Sequence, residues 1–537
     1  MQLMLVYRFL RQISEWTLSD FYTEVYVKGT ENVPLDGPVL LLASHPNETI
    51  DVAALSATIK EGAARAALEY VKTEKERASE DVPFKTNLVL APVGILYTDK
   101  ARYLSRIYIQ YGNPIPIDNH VKAYLDKSDD SEELAAHAFV TQLTSDIWKE
   151  MQRLTVDAPD WDTFHIAEIT REILWQTDDN VPLKFWFDVT QTLVDLFSQR
   201  SIERSNSLDT AHASLLKYLA LLHHAGLRHG DLTTVAPLPR EARSTTITQY
   251  PLNHLAFYFA AAFLRLRFLL FLPVLILHVP AYLVGSIAAR KLADEGFEES
   301  IAQFKVIFGG ISAGMAYAAV TYAAGSWLKS VGASGSPGSF AVKAVGLLGS
   351  PLRLTDGSQG WEGRARGLIE TASLAYALTW GLAKWHTRLV VGNYKSFKLF
   401  IASLKVFGGL LLPISASVPV DRLGPFARRP DPPRNPWIKY PTSEPDARNG
   451  HANGNGHANG SSKTTEEPAV LQTPSPTLPF KLIRPVLAAR AEAVSSLAAL
   501  LQETGAARQD ELSGDMWKEI LRRGDSLAKE VGIFKDS

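Results

Sequence analysis

The chain contains no cysteine, which removes disulfides, thiolate nucleophiles and cysteine-ligated metals from consideration and fits a protein that faces the cytosol. It has no excess of either charge. The 55 Lys and Arg stand against 57 Asp and Glu, for a formal net charge of -2, and the isoelectric point is near 6.7. That balance gives no electrostatic reason to expect a nucleic-acid partner. A secretory signal is not legible either. Arg8 and Arg11 interrupt the apolar N-terminus, and Glu15 and Asp20 follow closely, unlike the uninterrupted apolar stretch of a signal peptide. Leu5, Tyr7, Phe9, Leu10, Ile13 and Trp16 instead recur at roughly helical spacing. Such a helix either lies on a membrane surface or covers the core of the protein itself.

What is present is a chain of 537 residues, 46% of them hydrophobic, long enough for two or more domains. Val25 to Ser44 reads as strand, turn and strand, punctuated by Pro34, Gly37 and Pro38. The unbroken apolar run Val39 to Ala43 predicts a strand buried on both faces. Leu88 to Tyr97 reads as a second buried strand with a break at Pro92, and Ile107 to Tyr111 as a third, closed by Gly112-Asn-Pro114. Helices are predicted over Ile59 to Glu76, Ser131 to Leu154, Ile166 to Leu174 and Phe185 to Gln199. Residues 1–240 are thus expected to form an α/β or α+β domain.

The character changes after Tyr250. Phe268 to Ala289 is apolar apart from His278, Ser286 and two prolines, and Val306 to Leu328 carries no charge. Each is long enough for a hydrocarbon core of about 30 Å, which takes roughly 20 apolar residues. The small residues Gly309, Gly310, Gly314 and Ala318 would let helices pack closely. Thr371 to Ala383 and Leu399 to Val418 are weaker segments, re-entrant, interfacial or packed on the first pair. Arg265, Arg267, Arg290, Lys291, Lys329, Arg388 and Lys395 flank these segments. Residues 252–420 are therefore expected to be a membrane-embedded helical region, the alternative being a soluble helical domain with a very apolar core. Residues 428–479, with the His451-Ala-Asn-Gly-Asn-Gly-His457 repeat, have the composition of a disordered linker. Residues 480–537 resume an amphipathic helical pattern that docks on the protein or on the membrane.

His45 and Asp51 follow directly on the run Val39 to Ala43, and loops at strand ends are where α/β proteins place reactive side chains. A histidine paired with a carboxylate is held in one tautomer and becomes a better general base. On a continuous helix, turning about 100° per residue, the two would point to different sides. Pro46 and Asn47 predict a turn that folds Asp51 back toward His45. By spacing alone, a solvated loop histidine and a helix-capping aspartate fit as well. Arg102 and Arg106 either meet a substrate phosphate or CoA, or sit solvated in a basic turn. His223, His224, His229 and Asp231 form a histidine-rich stretch that reads as a solvated helix end, with metal binding disfavoured because adjacent histidines diverge. Ser44 lacks the Gly-x-Ser-x-Gly setting of a hydrolase nucleophile. Gly94 is expected to serve close backbone packing.

Gly29-Thr-Glu-Asn-Val-Pro34 followed by Gly37-Pro-Val-Leu-Leu-Leu-Ala-Ser-His-Pro-Asn-Glu-Thr-Ile-Asp51 resembles the opening block of the glycerophospholipid acyltransferase family. Val89-Leu-Ala-Pro-Val-Gly-Ile-Leu-Tyr97, with the basic turn and Tyr-Gly-Asn-Pro-Ile-Pro116 after it, resembles that family's fourth block. Tyr111 stands where its fungal glycerol-3-phosphate and dihydroxyacetone-phosphate enzymes have Phe. Thr155 to Thr163 is similar to a further segment of those enzymes, and the resemblance covers roughly residues 5–330. It implies an α/β acyltransferase domain, a transmembrane helical region and a C-terminal helical tail. It implies His45 as general base, Asp51 as its partner and acyl-CoA as cosubstrate, with no metal or resident cofactor. The acceptor would be glycerol 3-phosphate or dihydroxyacetone phosphate, and the place the endoplasmic reticulum membrane with the acyltransferase domain cytosolic. The family's second and third blocks, whose Arg and Glu-Gly elements are associated with the substrate phosphate, have no counterpart here. The interval from His45 to Pro92 is too short for two more strands with crossovers. A joint near residues 58–61 and an incomplete sheet are expected. This leaves two rivals: a catalytically inactive truncated membrane isoform or scaffold, and a lysophospholipid acyltransferase.

Overall fold

The computed structural model describes residues 22–43, 62–78, 86–99, 105–126, 132–198, 206–237, 249–293, 298–333, 361–429, 478–507 and 514–531, together with positions 8, 11, 12 and 15 of an N-terminal helix. His45, Asp51, Arg102, the joint at residues 58–61 and nearly all of the 428–479 segment lie outside the described residues. Of the N-terminal helix, the polar residues Arg8, Arg11, Gln12 and Glu15 are exposed.

The N-terminal part is built on a mixed sheet. Its strands are β1 (Glu24–Lys28), β2 (Val39–Ala43), β3 (Val89–Tyr97), β4 (Arg106–Tyr111) and the short β5 (Ile115–Pro116). Their order is β1-β4-β3-β2, with β5 beside β3. β2 runs parallel to β3 and β1 parallel to β4, while β3 and β4 are antiparallel. The parallel β2–β3 pair requires a crossover, and helix α1 (Gly62–Arg77) lies in that interval. The expected break at Pro92 does not occur, and β3 continues through it. The proline removes one ladder donor, but its carbonyl still accepts the Gly112 N–H at 2.8 Å, opposite the gap between β4 and β5.

Helices α2 (Asp118–Leu125) and α3 (Glu132–Arg153) join α1 in one core, where Ala67, Leu68 and Val71 meet Leu90, Ile115, Phe139 and Leu143. A larger core gathers α4 (Trp161–Trp175), α5 (Leu183–Ser198), α6 (Asn206–Ala225) and α7 (His229–Val235) with Tyr108 of β4. The terminal helices α12 (Ile483–Ala507) and α13 (Asp515–Val531) belong to that same core through Ile483, Val486, Leu497 and Ile520. Lys217 pairs with Glu492 at 2.8 Å, and the Arg523 guanidinium lies 4.5 Å from the Trp175 ring centre. Of the two docking surfaces open to the tail, it takes the protein.

Between these come α8 (Gln249–Phe259), α9 (Leu266–Leu292), α10 (Glu298–Ala333) and α11 (Trp361–Leu411). Two stretches, Phe268–Leu292 and Gln303–Ala324, are long and apolar enough to cross a membrane. Only 22% and 6% of their most apolar windows are buried. A soluble domain with an apolar core would seal these residues away; instead Leu269, Ile276, Leu283, Ile311 and Met315 are exposed. Apolar surface left outward on such helices points to membrane association. The small-residue expectation holds at one point. A Cβ on Gly309 would sit 3.5 Å from the Ala281 carbonyl of α9, whereas Gly310 and Gly314 face open space. The weaker segments at 371–383 and 399–418 are not separate helices. One continuous helix, α11, contains the first and most of the second, because nothing between them breaks the helical pattern; Asn393 and Ser396 are tolerated on it. His278, His386, Tyr282 and Tyr317 form a polar cluster across α9, α10 and α11. The imidazoles stack at 4.0 Å, and each accepts or donates one tyrosine hydroxyl bond, at 2.7 and 2.6 Å.

Candidate active site

The described part of the candidate site is the sheet whose strand β2 ends one residue before Ser44. Register across the sheet aligns Ala43 of β2 with Val93 of β3, and Val93 with Tyr111 of β4. β2 therefore ends, at Ala43, beside the Val93-Gly94 step. The two sequence blocks that carry the resemblance are neighbours in space, in parallel register from Val39↔Val89 to Ala43↔Val93. The opening Gly29-Thr-Glu-Asn segment covers the end of β4. Gly29 has φ of 78° and leaves no room for a side chain against the Tyr111 carbonyl, which accepts a bond from Asn32 Nδ2 at 3.1 Å.

Gly94 serves close packing. A Cβ there would run into the Leu154 carbonyl oxygen and come 2.8 Å from the Leu154 Cβ, just beyond α3. Backbone on backbone leaves little to yield, so Gly94→Ala is expected to cost about 1–3 kcal/mol. Thermal unfolding of the purified chain in detergent checks this, and an unchanged midpoint would refute the packing role.

β2 departs from expectation. It has β3 as its one strand neighbour among the described residues, and its residues are half-buried, with Leu41 43% exposed. An edge strand presents one face and one edge to its surroundings, so an apolar run did not translate into burial on both faces.

Arg106 is neither in a turn nor solvated. It begins β4, and its side chain is 7% exposed. It donates to the Val181 carbonyl at 2.7 Å and to the Asp178 carbonyl at 2.5 Å. Asp178, between α4 and α5, also accepts from Arg171 Nε at 2.7 Å and Trp186 Nε1 at 3.1 Å. Arg106 thus ties the sheet to the helical unit. Nothing in the sequence linked it to Asp178, which lies 72 positions away.

The histidine stretch is a solvated helix end only in part: His223 is exposed in the last turn of α6, but His229, farther on, is not. His229 is buried in the larger core, with Nδ1 2.8 Å from the Tyr218 hydroxyl. Burial, reinforced by Arg490, pushes its pKa down to about 3 and keeps it neutral. His224 packs edge-on to Phe426. Among the described residues no three His, Asp or Glu side chains gather as a metal site.

Sequence reasoning also missed a carboxylate pair one turn apart on α4. Glu168 is held low despite burial by His165, whose Nδ1 lies 3.5 Å from its carboxylate, and by the charge of Arg171. Glu172 is pushed up to about 8 by burial, then by Glu168 and Asp178. The folded chain thus holds a proton that the unfolded chain, with an ordinary value near 4.5, has already released. Stability is then unaffected below about pH 4.5 and falls as pH rises toward 8. Glu172→Gln is expected to remove this decline, worth about 2 kcal/mol between pH 6 and 8. Unfolding midpoints across that range check it; parallel pH curves for parent and variant would refute it.

Comparison with known proteins gives one partial relative. The chain is 23% identical over 219 residues to glycerol-3-phosphate O-acyltransferase 2 of Saccharomyces cerevisiae. The aligned part is 41% of this chain and 27% of that protein. No family model and no solved structure matches. The similarity indicates an acyltransferase relationship.

Proposed function

We propose that this chain is a glycerolipid O-acyltransferase that moves an acyl group from acyl-CoA to glycerol 3-phosphate or dihydroxyacetone phosphate. The observation that carries the reading is the parallel pairing of β2 with β3, which makes neighbours of the two sequence blocks that resemble the acyltransferases; the partial yeast relative supports it. His45, oriented by Asp51, takes the proton of the acceptor hydroxyl. The oxygen attacks the thioester carbonyl, the tetrahedral adduct collapses, and the CoA thiolate leaves and takes the proton back from the imidazolium. Atoms balance as ester plus free CoA. Arg102, in the basic turn, is the remaining candidate for the substrate phosphate. Helices α9 and α10 would hold the enzyme at a bilayer, proposed to be the endoplasmic reticulum membrane with the catalytic domain cytosolic, where the acyl product partitions.

A second reading is favoured by the exposed edge strand β2. A sheet that lacks the strands of the missing blocks would leave β2 in that position, and the chain would be an inactive membrane isoform or scaffold. Assaying the purified chain with acyl-CoA and, in parallel, glycerol 3-phosphate, dihydroxyacetone phosphate and a lysophospholipid separates these. Transfer to a three-carbon phosphate supports the first reading. Transfer only to the lysophospholipid changes the acceptor. No transfer to any supports the inactive form.

A further inference from the structure

A cavity of about 230 Å³ lies where the α6–α7 turn meets α11, lined by Leu227, Arg228, Asp231, Tyr394, Phe397, Lys398 and Ile401 among others. It is a built feature. Gly226, with φ of 59°, caps α6 in the left-handed conformation, and Lys405 of α11 donates to the Ala225 and Gly226 carbonyls at 3.1 and 2.7 Å. That bond clamps the turn onto the long helix. Arg228 reaches from the cavity to Asp99 at 2.8 Å. Asp99 lies just after β3, in the connection that continues into the basic turn. The cavity is thus tethered to the end of β3 in the sheet.

Its place and lining are amphipathic. Toward its C-terminal end α11 enters the larger core through Ala402 and Val406. Earlier, at Val390, it packs on α9 within the apolar bundle. The cavity falls between, at the boundary of the helical unit and the candidate membrane region. Two cationic side chains, Arg228 and Lys398, stand at it, with Lys398 4.9 Å from the Tyr394 ring centre. Phe397, Ile401 and Leu227 supply an apolar wall. Asp231 supplies an acceptor for a hydroxyl. The volume falls below the 300–1,000 Å³ of sites for drug-sized ligands, too small for CoA but sufficient for a phosphate headgroup and the start of one chain.

We propose that this cavity binds a single-chain glycerol phosphate lipid: phosphate on Arg228 and Lys398, free hydroxyl on Asp231, and the first methylenes against Phe397 and Ile401. The choice of a glycerol phosphate rests on the acyltransferase reading, and the site would receive the product where it passes to the bilayer. The test uses the full chain with His45→Ala in neutral detergent micelles, so that binding is read without turnover. Equilibrium binding of a monoacyl glycerol phosphate is compared with that of neutral monoacylglycerol, chain-free glycerol 3-phosphate and diacyl phosphatidate. The monoacyl phosphate is expected to bind at least about tenfold tighter than each. The double variant Arg228→Gln with Lys398→Gln is expected to lose about tenfold, and Ile401→Trp, which fills the cavity and leaves its charges, a similar factor. Unfolding midpoints select the variants that fold. Retained affinity in either folded variant, or equal binding of neutral monoacylglycerol or of phosphatidate, overturns the proposal, as does glycerol 3-phosphate binding equally and losing as much in the double variant. A chain that binds this lipid but transfers no acyl group would leave the site standing and remove the catalytic reading instead.

Discussion

His45→Ala is expected to lower acyl transfer by about 10²–10⁴-fold, the usual contribution of a positioned general base. The acceptor hydroxyl is a poor nucleophile until its proton is taken, and no cysteine exists to offer another route through a covalent intermediate. Because the base acts in the transition state, kcat should fall while the KM for acyl-CoA changes little. Asp51→Asn should show a smaller loss of the same kind, since it disturbs the tautomer and orientation of the imidazole without removing it. Initial rates with radiolabelled acceptor check both. A His45→Ala chain that keeps full activity would remove His45 from the chemistry.

Asp178→Ala is expected to destabilise the fold by about 3–5 kcal/mol, the cost of leaving buried charge without its partner. Arg171 and Arg106 have side chains only 3% and 7% exposed, and both meet Asp178. Arg171 would retain the Thr190 hydroxyl at 2.6 Å and the neighbouring Glu168 charge, and Arg106 its carbonyl partners, but the ion pairs with Asp178 would be lost. Glu24, 3.6 Å from Arg106, is half exposed and compensates weakly. Asp178→Asn keeps an acceptor for Trp186 and should fall between parent and alanine variant. Denaturant unfolding in detergent reads the difference, and a loss under about 1 kcal/mol from Asp178→Ala would refute the idea that this carboxylate joins sheet to helices.

The contrast between these two residues shows what a sequence carries. His45 stands out in the sequence as a candidate because its neighbours are contiguous: an apolar run, then a histidine, then an aspartate six positions on. Asp178 does not, because its significance lies in Arg106, brought to it from a strand far earlier in the chain. Arg106, expected either on a substrate phosphate or solvated in a turn, is buried against Val181 and Asp178 instead, for the same reason. A charged residue next to a turn reads as exposed until its buried partner is known. His229 repeats the lesson, since Tyr218 and the C-terminal Arg490 make its surroundings.

Element type followed from local periodicity. Before residue 200 the strands β1 to β4 and the helices α1, α3, α4 and α5 appear where apolar runs, helical spacing and Gly or Pro punctuation put them, whereas the short β5 and α2 do not announce themselves in the sequence. So do the two long apolar stretches, whose length and lack of charge are properties of the chain itself. Tertiary structure decided which edges and faces are covered. β2 was expected to be buried on both faces and is half-buried, with one strand neighbour among the described residues. The C-terminal helices, equally amphipathic whether on lipid or protein, found their partner in α6. The reason is physical: periodicity specifies that an element has an apolar face, but only the packed neighbours determine what that face meets.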